Sequence, residues 1–71
     1  MNAKKALDVL NKGDRIQTIW DGEEVFYQVF QGDVIARMVS RSACSAEITD
    51  MMNPEEFLAN VDGINLVKAK V

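Results

Sequence analysis

Residues 15–30 read RIQTIWDGEEVFYQVF, and the fold turns on them. From Arg15 the apolar period is two, and β-branched and aromatic residues accumulate through Ile16, Thr18, Ile19 and Trp20. Asp21-Gly22 follows, and Asp-Gly between two strand-like runs is the strongest hairpin signal in a short sequence. A two-residue turn there sets Trp20 opposite Glu23, Thr18 opposite Val25 and Ile16 opposite Tyr27. One face of the hairpin then carries Ile16, Trp20, Val25, Tyr27 and Val29. The other carries Ile19, Phe26 and Phe30 with Arg15, Gln17 and Gln28. Both faces are partly apolar, so both need cover.

Upstream, Asn2 is placed to cap a helix whose Ala3, Ala6, Leu7 and Leu10 recur at helical spacing, with Gly13 at its C-terminal stop. Downstream, Gln31-Gly32-Asp33 is a second turn leading into a strand from Val34 to about Ser40. A two-residue turn pairs Phe30 with Ile35; a three-residue loop pairs it with Val34 and turns the strand over. Residues 41–50, RSACSAEITD, show no clear period and read as a loop with a short strand around Glu47 to Thr49. Asn53, Pro54 and Glu56 form the signature of a capped helix start, and Met52 with Phe57 is spaced as a hydrophobic staple. Phe57, Leu58 and Val61 form the apolar stripe of this second helix, which Gly63 ends. Ile64 to Lys70 reads as a last strand with Lys68 and Lys70 toward solvent. The expected fold is α+β, a single small domain over residues 1–71 in the order α-β-β-β-α-β: an antiparallel meander with two short helices. Phe26, Phe30 and their third-strand neighbours require a second helix or a second subunit over them.

Composition narrows the function. The 71 residues include no histidine, which removes Ser-His-Asp and Cys-His nucleophile systems and His-ligated metal sites. The single cysteine, Cys44, has no internal disulfide partner, and a reducing, cytoplasmic setting is expected. Residues 1–12 carry Lys4, Lys5, Asp8 and Lys12 and lack the apolar run of about seven to fifteen residues of a signal peptide. No stretch has the roughly 18 consecutive apolar residues of a membrane span. The net charge of −3 argues against general nucleic-acid binding, which draws its affinity from Lys and Arg on phosphates. Residues 1–41 balance six basic against six acidic side chains, whereas residues 42–67 hold Glu47, Asp50, Glu55, Glu56 and Asp62 with no Lys or Arg. Two readings apply to those five: a solvated helix face with carboxylates at a helix N-terminus, or an acidic patch facing a basic groove of a protein partner.

Chemistry-bearing motifs are few. Cys44 has no histidine to deprotonate it. Glu23-Glu24 and Glu55-Glu56 are adjacent carboxylates pointing different ways, already explained by turn and cap. The four glycines punctuate elements, and none lies in a phosphate-binding spacing. The one constellation with reach is Trp20, Phe26, Tyr27 and Phe30 with Arg15, Arg37 and Arg41. Trp20, Tyr27, Arg15 and Arg37 are the residues that could sandwich a nucleobase and grip a phosphate, although aromatics in so short a chain are also needed for its core.

The opening, with Ala6-Leu7, Leu10, Lys12-Gly13, Arg15-Ile16 and Ile19-Trp20-Asp21-Gly22, resembles the start of small phage and prophage accessory proteins, including the Thoeris anti-defence type. The resemblance covers residues 3 to 32, and Trp20 is the position that matches. It implies a phage or mobile-element accessory protein, expected to bind and inhibit a host protein such as a component of host defence. The alternative it implies is a binding module that sequesters a nucleotide signal. Gly13-Asp14-Arg15-Ile16, Trp20-Asp21-Gly22 and Tyr27 are also similar to Tudor-like small barrels, which implies an aromatic-cage binding domain. The combined expectation is a non-enzymatic cytoplasmic protein without cofactor or metal. It would form a homodimer or higher oligomer, bind a host protein or a nucleotide-type small molecule, and stay off membranes.

Overall fold

Asp21 and Gly22 both adopt positive φ, 53° and 78°. That is the requirement of a type I′ turn, whose twist matches that of the strands it joins. In the computed structural model, which describes residues 1–42 and 44–69, this turn joins β1 (Ile16–Trp20) to β2 (Glu23–Gln31). The register is the expected one: Ile16 faces Tyr27, Thr18 faces Val25 and Trp20 faces Glu23.

The second turn combines features of both expected registers. Gly32 has φ 60° and Asp33 does not share the positive value, as a type II′ turn requires, so Gln31 pairs with Val34. One step inward the ladder shifts, and Val29 pairs with Ile35, the register of the longer loop. Phe30 is therefore the extra residue of a bulge, exposed at 59%. From there β3 (Val34–Ser42) sets Arg37 opposite Tyr27 and Val39 opposite Val25.

Residues 41–50 differ from expectation. Instead of a loop with a short strand, β4 (Ser45–Met52) is a full eight-residue strand paired with β3, and the element order is α-β-β-β-β-α-β. Its period is hidden because seven of its eight residues are exposed and Thr49 is inserted between the pairs Arg37–Asp50 and Met38–Ile48. The Thr49 hydroxyl holds this bulge, accepting from Arg37 Nη1 at 2.7 Å and donating to the Arg37 carbonyl at 3.3 Å.

Both helices close on their capping signals. In α1 (Ala3–Asn11) the Asn2 side chain accepts from the Lys5 amide at 2.8 Å. At the other end Gly13 N–H reaches the Leu10 carbonyl and Asp14 N–H the Val9 carbonyl, the paired bonds of a Schellman motif. In α2 (Pro54–Asn60) Asn53 and Glu56 exchange the two bonds of a capping box, at 2.8 and 3.1 Å. Met52 and Phe57, the two ends of the staple, are both buried.

The C-terminal segment crosses to the far edge and pairs with β1. Strand β5 is only Val67–Lys68, shorter than the expected Ile64–Lys70, and Lys70 lies outside the described residues. Leu66 is fully buried, and the Thr18 hydroxyl donates to the Asn65 carbonyl at 2.8 Å, which ties this segment to the sheet. The order across the sheet is β4-β3-β2-β1-β5, with β4 and β5 as unjoined edges. The sheet is thus open, unlike a Tudor-like barrel.

Alternation along the strands sorts the side chains. Ile16, Val25, Tyr27, Ile35 and Val39 form one core with Ala6 and Leu10 of α1, Phe57 of α2, and Val61 and Leu66 beyond it. Phe57 meets the Tyr27 ring edge-on, with centroids 5.3 Å apart and planes at 76°. Both helices thus lie on the same side. Ile19, Phe26, Phe30, Met38, Ile48, Met51 and Val67 receive no cover from either helix, and Ile19 is 61% exposed.

Phe57→Ala is expected to lower the unfolding free energy by about 3–5 kcal/mol in urea titration. A loss below about 1 kcal/mol would contradict its central place. Asn53→Ala should cost about 1 kcal/mol in the same assay.

Candidate functional site

Where the helices stop covering the sheet, a cleft of about 200 Å³ opens between the β1–β3 surface and the end of α2, lined by Thr18, Trp20, Tyr27, Arg37, Asn60 and Ile64. Three of the four residues singled out for ligand binding therefore line one site. The fourth does not. Arg15 sits on the opposite face, its guanidinium 5.6 Å from the centre of the Phe26 ring. Strand parity accounts for the split, since Ile16, Thr18 and Trp20 point to the helix side and Arg15, Gln17 and Ile19 away from it.

Each wall has a local cause. Trp20 is the last residue before the type I′ turn, on the core-facing side but past the reach of both helices, so it is 55% exposed instead of buried. Tyr27 and Arg37 are direct cross-strand partners. Asn60 ends α2, where its Nδ2 donates to the Glu56 carbonyl at 2.8 Å. The Tyr27 side chain is only 3% exposed, yet its hydroxyl has no hydrogen-bond partner among the described residues. No fully buried side-chain oxygen is left unpaired there, so this hydroxyl keeps an edge on the cleft. Arg37 is held by Thr49 and forms no ion pair among the described residues. The cleft thus offers an indole face, an unengaged phenol and a guanidinium without a carboxylate.

Three of the five acidic residues have partners of their own. Glu47 is bound by Arg41 at 2.8 Å, and the same Arg41 reaches Glu23 at 3.5 Å. Asp50 accepts from the Met51 amide, and Glu56 is spent in the capping box. Glu55 lies in the first turn of α2, and Asp62 lies beyond its other end. The Arg41 bridge across Glu23 and Glu47 was not legible, because it needs the β3–β4 pairing. Asn60 and Ile64 were likewise missed, since only the docking of α2 brings them to Trp20.

Cys44 is exposed in the β3–β4 turn. Among the described residues no three Cys, Asp or Glu side chains gather as a metal site requires, and no helix is long and apolar enough to cross a membrane. No known protein family, curated protein or solved structure matches the chain.

Trp20 is the chain's single tryptophan, so its emission reports the cleft alone. Acrylamide should quench it in the native state nearly as well as in urea. A protected, blue-shifted indole would contradict an open cleft.

Proposed function

We propose that this chain is a non-enzymatic binding domain that recognises a host protein through the Trp20–Tyr27–Arg37 cleft and inhibits that protein, as a phage or mobile-element accessory protein acting in the cytoplasm. The observation that carries this reading is the cleft itself. Trp, Tyr and Arg are the residue types that dominate binding energy at protein interfaces, and they do so from desolvated pockets. Here all three line one concave site, the Tyr27 hydroxyl without a hydrogen-bond partner among the described residues. A volume near 200 Å³ suits one inserted side chain bearing a carboxylate or amide for Arg37 and Tyr27. The absence of histidine supports the non-enzymatic reading, and the lone cysteine supports the reducing compartment.

A second reading takes the same site. A nucleotide-type small molecule could stack its base on Trp20 and set a phosphate on Arg37. The exposed indole and the unpaired guanidinium favour it; the small volume admits the base and leaves the remainder outside.

Purification from host cells followed by native mass spectrometry and reconstitution with the recovered component tests both. A protein partner should be retained by the wild type and by Arg15→Ala. Trp20→Ala and Arg37→Ala should each weaken it by about tenfold or more while leaving the circular dichroism unchanged. Retention in both cleft variants would overturn the assignment. Added mass of a small molecule, lost in the same variants, would establish the second reading in place of the first.

A further inference from the structure

On the side of the sheet away from the helices, Arg15, Glu24, Phe26 and Met38 line a cavity of about 430 Å³. The Arg15 guanidinium lies over the Phe26 ring, 5.6 Å from its centre. Stacking of this kind occupies the flat face of a guanidinium and leaves its N–H edge free to donate in plane. Glu24 is the next residue on this face of β2, two positions from Phe26 and so about 7 Å along the strand. Among the described residues neither Arg15 nor Glu24 has an ion-pair partner, and the two do not pair with each other. A fixed cation and an anion thus stand a short distance apart in one cavity, each with its charge unmatched.

Charge selects the ligand. A purely anionic molecule attracted by Arg15 is repelled by Glu24, and a purely cationic one meets the reverse. A carboxylate and an ammonium borne on one carbon satisfy both, each hydrogen-bonded to its counterpart at about 2.8 Å across the gap. Met38 also lines a second cavity of about 230 Å³ with Phe30, Ala36 and Ile48, so apolar surface continues from the charged end. We propose that this groove binds a zwitterionic α-amino acid with an apolar side chain. Its carboxylate lies on Arg15, its ammonium on Glu24 and its side chain over Met38, whose thioether packs favourably against an aromatic ring. A volume of about 430 Å³ falls within the range of small-molecule sites, about 300–1,000 Å³. The Trp20 cleft opens on the opposite, helix-bearing side, so this site stands apart from the proposed function.

Amide NMR titration of the full chain tests it, with L-phenylalanine as the probe. The comparison compounds are phenethylamine, which lacks the carboxylate, hydrocinnamate, which lacks the ammonium, and glycine, which lacks the side chain. L-Phenylalanine should shift the Phe26 and Met38 signals saturably and leave those of Trp20 and Asn60 in place. Each comparison compound should bind at least about tenfold more weakly. Arg15 and Glu24 are both exposed, so Arg15→Gln and Glu24→Gln should retain the wild-type circular dichroism. Each variant should weaken L-phenylalanine by about tenfold. Glu24→Gln should at the same time bind hydrocinnamate more tightly than the wild type does, a gain that mere loosening of the face would not produce. Absence of saturable shifts on this face, equal binding of L-phenylalanine and its singly charged analogues, or unchanged affinity in both variants would overturn the proposal.

Discussion

The structure depends on one geometrical constraint: two short helices, both joined to a single sheet, pack on the same side of it. The edge-on contact of Phe57 with Tyr27 and the burial of Leu10 and Leu66 against the same strand faces fix this arrangement. Because side chains alternate along a strand, filling one face commits every second residue to the other. Among the described residues no further element covers it. The face without helices is therefore a consequence of how the core was made, and there the Arg15 guanidinium lies over the Phe26 ring.

The same constraint shapes the cleft. Helix α2 is only seven residues long, and it covers the core above β3 without reaching the hairpin end. Tyr27 is sealed beneath it except at its hydroxyl edge, while Trp20, two positions past Thr18 on the same face, stands clear. A residue destined by parity for the core thus becomes a surface aromatic by position. Arg37 shares that boundary, oriented by the Thr49 bulge instead of by a carboxylate.

How much of this was legible followed the range of the interactions. The Asp21-Gly22 turn, the β1–β2 register, the Asn2 cap, the Schellman stop at Gly13 and the Asn53–Glu56 capping box all involve neighbours in sequence, and each could be read from residue types alone. The α+β class followed from them. Strand β4 was not legible as a full strand, because an edge strand exposed on both faces has no hydrophobic alternation to display and the Thr49 bulge breaks what period remains. Phe30 hid the second register in the same way, by supplying one extra residue at the turn. In the candidate site, parity already separated Arg15 from Trp20 and Tyr27. Joining Asn60 and Ile64 to them required the placement of α2, a tertiary fact that no local pattern encodes.

The central claim is that both helices cover the same face of the sheet. Nuclear Overhauser spectroscopy of the chain addresses it at the level of atoms. The account predicts contacts between the Phe57 and Tyr27 rings, and none from either helix to Met38 or Ile48. Contacts from either helix to Met38 or Ile48 would contradict it.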